Sequence, residues 1–256
     1  MRLFLRFFKQ SIPAIVALLG GIMVWQFVVK VFSVPSYLLP SPSVIVESIV
    51  VNFSILIQAT SETALASFLG FLGASVVGVV AGIIFAESRL LERTLFPYFV
   101  IIQATPIIAI APLIAIWFGN DLTGKVIMAG IIALFPVVVN TTVGLKRLSG
   151  DIRDLMQLYN SSRLKILIKA SFPNALPHIF AGLRVSSTLS VVGAIVAELV
   201  IGNQGLGRFL LVSMYQFDIA RLFAGVLGSI LLGIGFLAVI KFIEKKAVFW
   251  RPSLNE

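Results

Sequence analysis

The stretch DLMQLYNSSRLKILIKASFPNALPHIF, residues 154–180, is the longest polar and basic interruption in a chain that is otherwise mostly apolar. Of the 256 residues, 59% are hydrophobic and 12% are charged, whereas about a quarter of a soluble domain is charged. The mean hydropathy is +1.05. Because a backbone in lipid must satisfy its own hydrogen bonds, this composition predicts an all-α, polytopic membrane protein. The quoted stretch then belongs to a loop over about residues 145–179 that joins two spans.

Around this loop, about six segments are long and apolar enough to cross a bilayer as helices, for which about 20 residues are needed. They are residues 12–33, 60–85, 95–118, 125–144, 180–201 and 221–242. We therefore expect one transmembrane domain over residues 1–256. The chain has no cysteine and a single histidine, His178, so neither a metal site nor a cofactor is expected.

The basic residues predict the orientation of these spans. If the N-terminus is inside, only four of the 20 Lys and Arg residues fall outside, namely Lys30, Lys125, Arg208 and Arg221. Basic residues accumulate on the cytoplasmic side of a membrane protein. We therefore expect both termini and the 145–179 loop in the cytoplasm, and the chain in the plasma (inner) membrane. The same bias explains the net charge of +9 without a nucleic-acid partner.

Within the loop, the residues predict a helix, a sharp turn and a second helix. Asp151 can cap a helix over about residues 152–159. Asn160 follows it, and asparagine accepts the left-handed conformation that ends many helices. Ser161 or Ser162 can then cap the second helix. This shape suits docking of a cytoplasmic partner, although an ordinary basic loop at the lipid headgroups fits the pattern equally well.

The loop also resembles the coupling loop of bacterial ABC importer permeases of the binding-protein-dependent type. That family has a Glu-Ala-Ala start, a glycine six residues after the Glu and a Leu-Pro close. Here an aspartate replaces the glutamate, larger residues replace the alanines and an asparagine replaces the glycine, which keeps the charge and the turn. The residues that this resemblance assigns to coupling with an ATPase are Asp154, Leu155, Met156, Asn160, Ser161, Ser162, Pro173 and Pro177. The two prolines are expected to set the start of the next span.

The resemblance implies a permease with its core over about residues 56–245 and three protein partners in a lipid membrane. These partners are an ATP-binding cassette subunit, a second permease copy in a homodimer, and an external solute-binding protein. The chain has no GxxxxGK[ST] phosphate loop. It is therefore expected to be a transport subunit and not an enzyme, with ATP hydrolysis on a separate subunit.

The third span contains QATPIIAIAPLIAIWFG, residues 103–119. Pro106 and Pro112 each remove a helical hydrogen bond, and Gln103 and Thr105 are polar at about mid-depth. We predict a kinked helix that lines the transport pathway, with an ordinary proline-kinked span as the alternative. The stretch resembles permeases of the nitrate, sulfonate and taurine group, and is closest in form to those for thiamine-pyrimidine precursors or riboflavin.

Three further polar residues are candidates for the pathway. Asn140 either pairs with a neighbouring helix or faces the solute. Ser190 lies on a face of small residues that either packs closely or leaves room for a solute. Glu198 is expected near the outer interface, where it is either functional or paired with a residue such as Arg208. The segment after it, GNQGLGRF, resembles the family's Glu…Gly-Leu-Gly outer segment.

The solute is the least constrained feature. The subgroup resemblance favours a vitamin or precursor heterocycle such as riboflavin or a thiamine pyrimidine, and the same machinery importing sulfonate, taurine or nitrate is the first alternative. A secondary carrier driven by an ion gradient needs ionisable groups at mid-depth, and no Asp or Glu lies at a span centre. A membrane enzyme needs an acid–base or nucleophile cluster, which the sequence does not indicate.

Overall fold

A computed structural model describes residues 2–250 of the chain. The C-terminal residues 251–256, which include Arg251 of the basic cytoplasmic end expected from the sequence, lie outside the described part, as does residue 1. Over the described residues the chain forms helices and no β-strand. The helices are α1 (Arg2–Val31), α2 (Pro42–Val51), α3 (Phe53–Glu87), α4 (Arg89–Ala104), α5 (Ile107–Phe118), α6 (Leu122–Lys146), α7 (Gly150–Leu158), α8 (Arg163–Ile166), α9 (Phe172–Val200), α10 (Leu206–Tyr215) and α11 (Ile219–Ala247).

Four stretches of the described chain are long and apolar enough to cross a membrane as single helices. They are α3, α6, α11 and the continuous stretch Arg163–Val200, in which a short π-helical turn joins α8 to α9. Helices α4 and α5 pass the same test as a pair, although they are bent by 101°. The apolar part of α1, Ile15–Val31, is shorter. The all-α, polytopic prediction is therefore confirmed.

Glycines set the closest helix contacts. A Cβ atom added to Gly70 of α3 would lie 2.6 Å from the Cβ of Ala129 on α6. One added to Gly193 of α9 would lie 2.8 Å from the Cα of the same alanine. Ala129 is fully buried, so α3 and α9 both pack against α6 at this residue. Small residues at such contacts let membrane helices approach until their backbones touch, where dispersion is strongest.

The chain divides into two compact units. One consists of residues 1–57 and 209–228, in which the Gln26 amide donates to Ser43 Oγ at 3.1 Å and Trp25 packs on Phe223 with 5.8 Å between ring centroids. The other consists of residues 58–208 and 229–256. It holds every residue that the sequence assigned to coupling or to the pathway.

Candidate functional site

The first candidate region is the loop that contains α7. Ser149 is the N-cap residue of α7, so the prediction that Asp151 caps it is wrong. Asp151 lies in the first turn instead, where a negative charge is favoured by the helix dipole. The left-handed conformation predicted for Asn160 is confirmed by its φ of +50°. The Ser161 amide donates to Met156 O at 3.0 Å, which closes the helix with the hydrogen bond typical of a glycine-ended helix.

The helix after this turn begins where the sequence predicts, at Arg163. Ser162 caps it, because its hydroxyl oxygen accepts from the Lys165 amide. The helix then continues through the π-helical turn Leu167–Ser171 into α9. Pro173 and Pro177 consequently lie inside a continuous helix, and the expectation that they set the start of the span is wrong. A π turn shifts the hydrogen-bond pattern by one residue. The helix can therefore continue through a proline, which has no backbone N–H to donate.

The exposed face of α7 is unusually apolar for a loop. Ile152, Leu155 and Leu158 are 45%, 53% and 80% exposed, and Tyr159 is 77% exposed. Asp154 is exposed among them. A contiguous apolar surface rimmed by charge is typical of a place where a protein partner binds. The loop can therefore offer both an apolar contact and a fixed turn to a partner.

The second candidate region is the break between α4 and α5. The 101° bend lies at Thr105 and Pro106. The predicted kink lies at Pro106, where the helix breaks completely, whereas Pro112 lies inside α5, which runs through it unbroken. Thr105 is extended, with φ −74° and ψ 128°, as the residue before a proline usually is. Its hydroxyl donates to Ile101 O at 2.8 Å, and Gln103 is exposed.

Asn140 and Ser190 are satisfied within their own helices. The Asn140 amide donates to Pro136 O at 2.8 Å, and the Ser190 hydroxyl donates to Ser187 O at 2.9 Å. Ser190 is fully buried. Asn140 packs against Gly182 of α9, where an added Cβ would lie 2.9 Å from the Asn140 Cβ. Both residues therefore lie at helix contacts, and each side chain bonds a carbonyl of its own helix.

The third candidate region surrounds Glu198, near the end of α9. Its side chain is fully buried. The Thr63 hydroxyl of α3 lies 2.9 and 2.8 Å from the two carboxylate oxygens. The Gly207 amide donates to Oε2 at 2.9 Å, and the Leu206 amide donates to Thr63 Oγ1 at 2.8 Å. A buried carboxylate is tolerable only with such partners, and here two other segments of the chain provide them.

Lys125 completes this cluster from α6. Its side chain is 9% exposed, and its Nζ lies 3.9 Å from Glu198 Oε1. The same ammonium donates to Gln204 O at 2.8 Å. The ion-pair partner of Glu198 is therefore Lys125, whereas Arg208, which the sequence suggested, is exposed. Sequence reasoning missed Thr63 and Lys125, although a lone lysine at the start of an apolar helix was an available signal.

Three glycines enclose the Glu198 side chain. Gly205 has a φ of +105°, and a Cβ there would collide with the carboxylate. A Cβ on Gly202 would lie 2.5 Å from Glu198 Cα, and one on Gly207 would lie 2.6 Å from Glu198 Cβ. The glycines that the sequence placed in a turn are therefore needed so that the chain can wrap around one side chain.

A cavity of about 380 Å³ adjoins this cluster. The residues that line it include the polar side chains Glu62, Asn120, Asp121, Asn203 and Gln204 and the apolar Leu65 and Leu122. Lys125 also lines the cavity, so the cluster and the cavity share a side chain.

A bundle of apolar helices with a broken span and buried polar groups is the architecture of a membrane transport protein. The family described as "Binding-protein-dependent transport system inner membrane component" matches residues 74–248. The chain belongs to this family. It is the permease subunit of an ABC transporter, a multi-pass membrane protein whose role is transport, and the family implies an ATP-binding subunit and a solute-binding protein.

Curated relatives extend the match beyond the family segment. The chain is 34% identical over 206 residues to a "Probable ABC transporter permease protein" of Haemophilus influenzae, covering 80% of this chain and 84% of that one. It is 30% identical to the "Formylaminopyrimidine transport permease protein ThiX" of Halalkalibacterium halodurans, covering 95% and 98%. It is also 30% identical to the "Riboflavin transport system permease protein RibX" of Chloroflexus aurantiacus, covering 97% and 93%. The predicted family is confirmed.

The fold is also that of a solved transporter. An inward-facing structure of the MetNI methionine ABC transporter contains a chain that superimposes with a TM-score of 0.68, at 15% sequence identity. The match covers 77% of this chain and 97% of that one. At this identity the likeness shows the fold alone.

Proposed function

We propose that the chain imports a vitamin or vitamin-precursor heterocycle, such as riboflavin or a thiamine pyrimidine. The observation that carries this proposal is the coverage of the two relatives with such names, which exceeds nine-tenths of both chains in each pair. A nitrate permease of Synechocystis is 31% identical but covers 64% of this chain and 61% of its own length. An aliphatic sulfonate permease of Bacillus subtilis covers 94% of this chain and 87% of its own length, but at 27% identity. Sulfonate, taurine and nitrate are therefore the second candidates.

The charges of the spans favour the same choice. Among the described residues, the buried charged side chains are Glu198 and Lys125, which face each other. A buried small anion must be paired with a positive group or held by hydrogen-bond donors. The Lys125 ammonium already donates to Gln204 O. This supports a neutral or weakly charged heterocycle over a sulfonate or nitrate ion.

ATP hydrolysis on a separate subunit would drive transport through α7. Its exposed apolar residues and Asp154 would dock on the ATP-binding subunit, and the turn at Asn160 would fix their angle. Met156, Ser161, Ser162, Pro173 and Pro177 would form the connection to the span. The helix Arg163–Val200 has 38 residues, so it is roughly 57 Å long at 1.5 Å per residue. One element would therefore carry the movement from the loop to the Glu198 cluster.

The pathway would lie at the broken span. A helix that stops inside a membrane leaves backbone groups free to hold a solute, and Gln103 is exposed beside the break. Thr105 and Pro106 form the break itself. Pro112, Asn140, Ser190 and Glu198 would act mainly by holding the helices that surround it. We expect a homodimer of permeases, with both termini cytoplasmic and with access facing inward at rest.

The experiment that tests this function uses the natural partners. The chain is expressed with the ATP-binding subunit and the solute-binding protein encoded beside it and is purified by a tag on the permease. The binding protein is then titrated with riboflavin, pyrimidine precursors, taurine and alkyl sulfonates. We expect the ATP-binding subunit to co-purify and one heterocycle to bind tightly. Tight binding of taurine or a sulfonate would replace the first solute class by the second, and absence of the ATP-binding subunit would contradict the proposed docking of that subunit on α7.

A further inference from the structure

We propose that Glu198 is a positioning residue, whose carboxylate caps α10 from another helix and holds the α9–α10 loop in one conformation. The α9–α10 loop is residues 201–205, between the end of α9 and Leu206, where α10 begins. The proposal rests on hydrogen bonds, burial and glycine contacts within one compact unit of the chain. It rests on the proposed function only for placing this loop on the outer side of the membrane.

The cap is visible in the first residues of α10. The first amides of a helix have no partner within the helix. Here the Leu206 amide donates to Thr63 Oγ1 at 2.8 Å, and the Gly207 amide donates to Glu198 Oε2 at 2.9 Å. A cap normally comes from the residue just before the helix. In this chain the preceding helix α9 and the distant helix α3 provide it, and the carboxylate also suits the positive end of the helix dipole.

α10 depends on this cap more than a long helix would. It has 10 residues, and helices shorter than about 12–15 residues are marginal on their own. Lys125 provides a further hydrogen bond to the loop, since its ammonium donates to Gln204 O. The loop and the first turn of α10 are therefore fixed from α3, α6 and α9 together.

The glycines show that the loop is shaped around this one side chain. A Cβ on Gly205 would collide with the carboxylate, and one on Gly202 or Gly207 would collide with the Cα or Cβ of Glu198. The spacing Glu198, Gly202, Gly205 and Gly207 is thus one structural motif. A glutamate that only filled space would need neither these glycines nor the donors on its two oxygens.

The loop in turn shapes the adjoining cavity. Asn203 and Gln204 are exposed and line the 380 Å³ cavity together with Asn120 and Asp121. If the cap is lost, the Asn203 and Gln204 side chains lose their fixed place, whereas Asn120 and Asp121 lie outside the α9–α10 loop. The role of Glu198 is therefore to position other residues and not to bind the solute.

Hydrogen exchange of the backbone amides tests the proposal directly. The purified full-length permease is placed in lipid nanodiscs, and exchange is followed for peptides that cover residues 201–210. We compare Glu198→Leu, which keeps the volume without an acceptor, with Glu198→Gln. The Gln oxygen can accept from Gly207, and its amide can donate to Thr63, whose proton then turns to Ala59 O, 3.1 Å away. We expect on the order of tenfold faster exchange in Glu198→Leu and much less change in Glu198→Gln.

A second pair of variants covers the case in which Glu198→Leu does not accumulate. Thr63→Val removes the hydroxyl that accepts from Leu206, whereas Thr63→Ser keeps it. The matched control is Thr142→Val on α6, since the buried Thr142 hydroxyl donates to Val138 O of its own helix at 2.8 Å and lies 3.4 Å from Gly82 O of α3, away from the α9–α10 loop. We expect faster exchange at 201–210 in Thr63→Val alone. Peptides of α6 after its first turn should keep wild-type exchange in the Glu198 and Thr63 variants.

Two results would overturn the proposal. One is wild-type exchange at 201–210 in both Glu198→Leu and Thr63→Val. The other is equal loss of protection in Glu198→Gln and Glu198→Leu, which would mean that hydrogen-bond acceptance is not what holds the loop. Failure of the proposed function is distinguishable, because it appears as absent ATP-driven uptake by the wild-type complex while the exchange pattern is unchanged.

Discussion

The glycine contacts between helices allow a sharp test of how this bundle is held together. Gly193→Ala on α9 adds a methyl group that would lie 2.8 Å from Ala129 Cα and 3.1 Å from Met128 O on α6. Both atoms belong to a backbone, so no side chain can turn away to make room. Gly73→Ala on α3 is the matched control, because a Cβ there meets nothing within 4 Å.

The magnitude follows from comparing the two variants. Replacing a helical glycine by alanine favours the helix by about 1 kcal/mol at either site, so this gain cancels in the difference. Carbon atoms prefer about 3.5–4 Å, so Gly193→Ala forces α6 and α9 apart by roughly 1 Å. Overpacking of this kind costs about 1–3 kcal/mol. We therefore expect Gly193→Ala to be less stable than Gly73→Ala by that amount.

Thermal unfolding in nanodiscs, followed by the fraction that stays monodisperse on size exclusion, measures this difference. At about 2–4 °C per kcal/mol for a chain of this size, the midpoint should fall by roughly 2–12 °C relative to Gly73→Ala. Equal midpoints for the two variants would refute the reasoning, because the α6–α9 contact would then have room that the structure does not show.

Three further predictions follow from other parts of the chain. Changing Asp154 and Asn160 together to leucine should uncouple ATP hydrolysis from uptake in the reconstituted complex while membrane insertion persists; normal coupling would place the docking site elsewhere. Gly205→Ala should lower the free energy of unfolding by about 1–3 kcal/mol, since it combines a left-handed φ with a collision, and an unchanged thermal midpoint would contradict this. Lys146→Ala should cost less than about 1 kcal/mol, because its pair with Glu92 is partly exposed, at 39% and 28%; a larger loss in the same assay would show that this pair is more than a surface contact.

Local signals were sufficient for the turn at Asn160 and the cap at Ser162. Asn160 adopts the predicted left-handed conformation, and Ser162 caps the following helix, because both depend on neighbours within a few residues. The cap at Asp151 was placed two residues too late, which is a typical error at a helix end. The continuous helix through Pro173 could not be read from the sequence, since a proline pattern alone does not reveal a π turn.

The broken span shows where local signals fail. Pro106 and Pro112 look alike in the sequence, and either can break a helix. The structure breaks at Pro106 and keeps α5 intact through Pro112. Ala111 and Ile114, on either side of Pro112, are buried against Met128 and Ala197 of two other helices. Tertiary packing therefore keeps the helix continuous through Pro112, whereas the chain breaks at Pro106.

Composition and periodicity by themselves determined that this chain is an all-helical membrane protein, since apolar segments of span length have no other stable form in lipid. The loop motif determined the family. Only the tertiary structure decided that Thr63, Lys125 and Glu198 meet at one point, because these residues lie on three helices and their meeting depends on how α3, α6 and α9 pack. A one-dimensional pattern records which residues are polar, whereas their partners are set by contacts between segments that are distant in the chain.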